Sequence, residues 1–251
     1  MKLSCIGRTG SACAGLLLLF ASAPGVADVL TREQIAQRLA AGQTDFTGLE
    51  AQGADLSGME LAGTNLFGAD LKGANLANAK LAHCNLNSAI LRNAVLTKAD
   101  LRDAQLFSSV LAYADLSGAD LRNARAMGNF ERANLEGANL EGLKGGSDMR
   151  NQPMGLIRLV LTGARLQGAR LRGADLSRAD LSYADLSRAD LSNVDLRRAK
   201  LVGADFTGAT LTNAVLDGAE VENAVFRAVV DFATVKGMDA VQGRDAAVYD
   251  R

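Results

Sequence analysis

From Ala174 to Ala189 the chain reads ADLSRADLSYADLSRA, which places Leu176, Leu181 and Leu186 five residues apart. A helix repeats every 3.6 residues and a strand every 2.0, so neither keeps such leucines on one face. Around each leucine the pattern is constant. A small residue, usually Ala, stands two before it. Asp or Asn commonly stands one before, and two small or polar residues follow. One large and one tiny apolar residue in every five describe a narrow interior. The leucine fills it, and the alanine sits where backbone passes too close for anything larger. A chain that turns a corner every five residues keeps all leucines inward and leaves the other three positions to solvent.

The same code runs through most of the sequence. It includes Leu66, Leu71, Leu76, Leu116 and Leu121 in a first block over residues 44–142. Leu171, Leu176, Leu181, Leu186 and Leu191 belong to a second block over 156–235. Leu156 or Leu161 is its first inward residue. These ten leucines are predicted core. Repetition at this scale predicts a solenoid in which each unit packs on its neighbours. The motif A-(D/N)-L-x-x resembles the pentapeptide-repeat family from about Thr44 to Asp231. The resemblance implies an all-β, right-handed, four-sided parallel β-helix, with four pentapeptides per coil and residues twenty apart stacked at the inter-strand spacing. Counting leucine-type positions gives about eight coils and a rod on the order of 40 Å.

The departures from the repeat set the remaining boundaries. Residues 1–27 read as a secretory signal. Lys2 and Arg8 give a basic start, Ala14–Ala23 is apolar, and small residues precede a cut after Ala27. The apolar run falls short of the ~20 residues of a membrane-spanning helix. The mature chain is therefore expected in the periplasm or outside the cell, with no membrane span; an uncleaved anchor is the competing reading. Residues 28–43 predict a short helix. Thr31 and Gln34 form a capping box, Leu30 and Ile35 a staple, and Gly42 a stop. The helix is read as a lid over the first coil, with a partner-binding helix as the alternative. One residue of phase is lost between Arg125 and Phe130. Residues 143–155 (LKGGSDMRNQPMG) break the repeat, as a projecting loop or a hinge between two rod segments. Their charged residues Lys144, Asp148 and Arg150 are candidate contacts. Residues 236–251 lose the repeat and form a closing cap, a dimerising segment or a frayed tail.

Composition changes the picture little. Trp is absent and aromatics are 4% of the chain, in keeping with a thin interior. The formal net charge of −1 calls for no nucleic acid or acidic membrane. Cys84, the cysteine left after export, occupies an inward small slot and is expected to be buried and inert, rather than reactive or a dimer bridge. His83 beside it should point outward, so the two cannot share a metal. No catalytic motif, metal or cofactor is implied, and the abundant aspartates come from the repeat itself. The chain is read as a non-enzyme.

Two groups of outward residues are candidates for contact. Ile90 and Val110 lie twenty apart and should stack, with Phe107 at the adjoining corner and Tyr113 on the side of Val110. Scattered exposed apolar residues are the plain alternative. Arg158, Arg178 and Arg198 are also twenty apart, with Asp180 and Asp195 as neutralising partners and an anionic ligand as the alternative. The function expected is a non-catalytic scaffold or protein-interaction module of the cell envelope, with an unknown protein partner or self-association through a terminal cap. The alternatives are an anion-binding surface at the arginine column and a DNA-mimic topoisomerase-binding protein. Relatives that bind DNA gyrase carry an acidic rod surface. Residues 28–142 hold 10 basic and 14 acidic residues and 156–235 hold 10 of each, which does not suit such a mimic.

Overall fold

The computed structural model describes residues 30–146 and 158–250. The unit around Leu181 shows how a pentapeptide turns a corner with every backbone N–H paired. In the unit around Leu181, the Leu181 N–H bonds Lys200 O at 2.8 Å and the Tyr183 N–H bonds Val202 O at 2.8 Å, both one coil above. The Asp185 N–H bonds Ala164 O one coil below at 2.9 Å, and the Ala184 N–H closes a turn onto Leu181 O at 3.0 Å. The fifth donor, the Ser182 N–H, reaches Asp180 Oδ1 at 3.1 Å. All five are paired, as a continuous buried ladder demands.

This explains the Asp or Asn that commonly precedes the leucine. Its side chain takes the one N–H that the ladder leaves over, as an Asx turn does. The same bond recurs at Asp55, Asp115 and Asp205. The position had been read as merely facing water; it is a structural bond within the unit. Two residues after each leucine the backbone is left-handed, as the third residue of a type II turn requires. Glycine takes this place at Gly203 (φ 64°) and asparagine at Asn193 (φ 58°), yet Tyr183 (φ 59°) and Arg198 (φ 58°) are held there too.

The bridges are all parallel and fall into four columns, which define four sides. Side 1 starts at Asp45 and Asn65, side 2 at Glu50 and Asp70, side 3 at Asp55 and Asn75, and side 4 at Glu60 and Lys80. The leucines and alanines of both blocks face inward as one core, all ten predicted leucines being fully buried. Cys84 is buried and its thiol donates to Leu61 O at 2.9 Å, while His83 is exposed with φ 60°. Burial pushes the thiol pKa up, which keeps it protonated and unreactive.

Side 1 runs Asp45, Asn65, Asn85, Gln105, Arg125, Lys144, Asp175, Asp195, Val215 and Lys236. That is nine complete coils and part of a tenth, against the eight counted from leucines. Most of the difference is the four sides headed by Val230, Lys236, Gln242 and Val248, which continue the ladder past the last leucine-type position; the rest arises where the inward position holds a small residue. Ala126 and Gly145 take the leucine place after Arg125 and Lys144, and both are buried. Bulk moves to the neighbouring slots, where Leu143 and Leu159 replace the usual alanine. A Cβ on Gly145 would lie 2.6 Å from Leu159 Cδ2, so the exchange is mutual.

The irregular stretches keep the register by changing the length of a corner. Val110 pairs with Asn129, 19 residues on, because the side beginning at Arg125 has four residues. Gly128 closes that short side, and a Cβ there would meet Ser109 O at 2.4 Å. Gly128→Ala is expected to cost about 1–3 kcal/mol as overpacking, seen as a lower urea midpoint. An unchanged midpoint would contradict the four-residue side. Farther on, Asn129 pairs with Val160 and Lys144 with Asp175, 31 residues apart instead of 20. The eleven extra residues enter between side 1 and side 2, and the ladder passes by them. Asn134 pairs with Arg165 and Asn139 with Arg170, so the two blocks are one stack. Asp148 and Arg150 lie outside the described residues.

Beyond 235 the ladder continues with longer corners. Val215 pairs with Lys236, Glu220 with Gln242, and β1 (Val225–Phe226) with β2 (Val248–Tyr249). Residues 236–250 are therefore a partial coil, held by rings. Phe226 stacks on Phe206 at 4.9 Å and on Tyr249 at 5.6 Å. At the other end, α1 (Arg32–Ala40) begins with the capping box of Thr31 and Gln34. It buries Ile35, and Leu30 donates its N–H to Glu50 O of the first coil. Arg32 Nη1 donates to Asp55 O and to Ser57 O at 2.7 Å. No helix among the described residues is long and apolar enough to cross a membrane.

Candidate interaction faces

Sides of a β-helix are flat, so function has to be read from what the outward columns bring together. Ile90 and Val110 are bridge partners on side 2, with Ile90 39% exposed. Tyr113 follows at the far corner of that side and Phe107 stands at the near one, both exposed. The four residues expected to meet do lie on adjoining coils. The structure adds two that the spacing argument missed. Phe67, 46% exposed, stands forty residues before Phe107 in the same column, and Val95 is the next bridge position after Ile90. Stacking at twenty and forty residues would have found Phe67; Val95 requires knowing that side 3 adjoins side 2. The Tyr113 ring also receives the Arg132 guanidinium at 5.8 Å, from the coil above. Tyr183 (67% exposed) and Val230 (48%) are separate from this group in sequence and coil.

The arginine column is present, but its expected neutralisation is not. Arg178 and Arg198 occupy the left-handed corner of side 1 on successive coils, and the Arg178 N–H bonds Arg197 O at 2.9 Å. Asp195 is occupied by Arg197, which grips it through Nε and Nη2. Asp180 accepts from the Ser182 N–H and hydroxyl, at 3.1 and 2.7 Å, and belongs to side 2. The earlier pairing of these aspartates with the column is therefore corrected. The carboxylate one before a leucine is turned toward the residue two ahead, and here that residue is Arg197 or Ser182. Among the described residues Arg178 and Arg198 have no ion-pair partner. With Ser177, Arg197 and Asp217 they line an open depression of about 350 Å³. Arg158 is exposed two residues before Val160, as Arg178 is two before its bridge partner Asp180. Lys144 is exposed on side 1 between Arg125 and Asp175.

Side 4 carries most of the ion pairs among the described residues. Arg102 binds Asp100 at 2.7 Å and lies 3.9 Å from Asp120, which Arg122 holds at 2.7 Å. Bonds from Arg102 hold the Asp100 pKa below its ordinary value. At Asp195 burial pushes upward, but the bonds from Arg197 outweigh it and the net shift is downward. Asp45 and Asp55 are lowered by Thr47 and Ser57. Folded pKa values below the unfolded ~3.9 add stability that is complete above that pH and is lost as pH falls through the folded values. The urea midpoint is expected to be flat from pH 7 to about 5 and to fall below about pH 4. A midpoint that rises on acidification would contradict these bonds.

Among the described residues no group of His, Cys, Asp and Glu is placed to hold a metal ion. No curated protein matches the chain. Among solved structures, a pentapeptide repeat protein involved in heterocyst differentiation regulation in the cyanobacterium Nostoc is 29% identical. That match covers 87% of this chain and 94% of the other, with a TM-score of 0.30. A pentapeptide repeat protein of the Arabidopsis thaliana thylakoid lumen is 30% identical over 46% of this chain and 66% of its own, with a TM-score of 0.28. QnrB1, a plasmid-mediated fluoroquinolone resistance protein, is 17% identical over 78% and 88%, with a TM-score of 0.42. The family profile of pentapeptide repeats matches in overlapping segments over residues 43–142 and 160–227. With most of its length so matched, the chain belongs to the pentapeptide-repeat family and has that family's right-handed β-helix.

Proposed function

We propose that this protein is a non-catalytic interaction scaffold of the cell envelope, exported by its first 27 residues and docking a protein partner on side 2. The observation that carries the reading is the apolar group on coils two to four. Ile90 and Val110 are directly paired, and Phe67, Val95, Phe107 and Tyr113 border them. Most outward positions of this repeat are polar, so six large apolar side chains on three coils are a departure that solvation alone does not favour. The rod holds them rigidly, which lowers the ordering cost of binding. α1 serves as a cap in this reading. It covers first-coil carbonyls with Leu30 and Arg32, groups that would otherwise invite end-to-end pairing.

The test is capture from the native envelope with tagged full-length protein. An Ile90→Ser/Val110→Ser variant is expected to fold normally, since both side chains point outward, and to lose the partners retained by wild type. Equal capture by both would overturn the docking face. A topoisomerase-binding mimic of DNA is disfavoured by the charges, 10 basic to 14 acidic over 28–142 and 10 of each over 156–235. Inhibition of gyrase supercoiling by the chain without residues 1–27 would reverse that ranking.

A further inference from the structure

Once each charged residue is assigned to a side, the near-neutral rod proves to have one strongly basic face. Consider the four coils from Arg125 to Asn213. Side 1 carries Arg125, Lys144, Arg158, Arg178, Arg197 and Arg198 against only Asp175 and Asp195. Side 2 balances Arg132 and Lys200 with Glu131 and Asp180. Side 4 balances Arg170 and Arg172 with Glu141 and Asp190, and side 3 has three carboxylates to its two arginines.

The excess is also unrelieved. Arg125 and Lys144 are bridge partners, like charges placed directly opposite each other, which destabilises a ladder. Among the described residues neither has an ion-pair partner, and Arg158, Arg178 and Arg198 have none. On side 4, by contrast, Arg102, Arg122 and Arg172 each hold a carboxylate. The left-handed corner that Arg178 and Arg198 occupy favours Gly or Asn, so their presence there is not a demand of the turn.

We propose that side 1 from Arg125 to Arg198 is a binding face for a linear acidic polysaccharide, its carboxylates laid along the rod axis. The cations stand on four successive coils at the inter-coil spacing of roughly 4.8 Å: Arg125 and Lys144 head the side on two coils, and Arg158, Arg178 and Arg198 hold its far corner on three, within a strip one pentapeptide wide. That shape suits a single extended polymer with one carboxylate per sugar better than a broad membrane surface. The guanidinium groups can each take a carboxylate with two donors. This face lies on other coils than the apolar group of side 2, so either could fail without the other. The choice of polysaccharide over nucleic acid rests on the reading of the chain as exported.

The test uses the full mature chain and polygalacturonate as probe, in low salt, by titration calorimetry or retention on immobilised polymer. Wild type is expected to bind and to be released by salt. Arg178→Asn/Arg198→Asn keeps a residue suited to the left-handed corner and is expected to lose affinity on the order of tenfold. Arg188→Asn, at the same kind of corner on side 3, is the control and should bind as wild type. No binding by wild type, or equal loss in the control, would overturn the proposal. So would double-stranded DNA or anionic vesicles binding while polygalacturonate does not, since each assigns the face to another class of ligand. Capture of a protein partner on side 2 is read separately and does not depend on these variants.

Discussion

Leu181→Ala is expected to lower stability by about 2–5 kcal/mol, whereas Ser182→Ala, one residue along, should leave the urea midpoint nearly unchanged. Leu181 is fully buried and stacks in a column whose members, every twenty residues, have no other packing surface available. Truncation leaves a void that the ladder cannot close, since the backbone on both sides is pinned by bonds at 2.8 Å from Leu181 and Tyr183. Ser182 loses only a hydroxyl bond of 2.7 Å to Asp180, and its N–H still reaches the same carboxylate. Because each coil touches only its neighbours, the leucine loss is expected to be felt first in the coils around Leu161 and Leu201. Equal midpoints for the two variants would mean that the leucines are not the interior.

How far the sequence carried this reading depends on what each kind of residue answers to. Inward positions were legible because packing in a narrow core favours a large residue next to a small one, as at Leu176 and Ala179. The coil count was short mainly because the ladder goes on past Phe226, and in smaller part because Gly145 and Ala126 break the rule, with Leu143 and Leu159 compensating from adjacent slots. Such exchanges show only when neighbouring coils are seen together. Tracking 236–250 was beyond the pattern for another reason. Its corners are longer, with pairings 21, 22 and 23 residues apart, so no five-residue period survives although the ladder does. On the surface, columns twenty apart were legible, which brought Ile90 to Val110 and Arg178 to Arg198. Partner choice was not. Asp195 turns to Arg197 because the Asx-type bond already aims its carboxylate that way, and period alone does not show that preference.

Phe226→Ala is expected to be the most damaging change at the carboxyl-terminal end, costing about 3–5 kcal/mol. Phe226 is buried between Phe206 and Tyr249, and Phe232 packs against it at 5.5 Å. The partial coil that follows has little else to hold it. Its backbone is tied by the Lys236, Gln242 and Val248 N–H groups, each at 2.8 Å, and by the Leu216 and Val221 N–H groups, which donate to Lys236 O and Gln242 O, and its side chains are at most half-buried. Removing the central ring takes away the apolar contact that makes those bonds worth closing, since an exposed bond competes with water. Amide exchange is the sensitive readout. Lys236, Gln242 and Val248 should lose protection together, while the amides of Leu181 and Tyr183 exchange as in wild type, because a solenoid confines damage to adjoining coils. Val230→Ser, at an exposed residue of the preceding coil, should leave all of them protected. If Phe226→Ala instead spared the three terminal amides, the rings would not be what fastens 236–250 to the stack, and the backbone bonds alone would have to suffice.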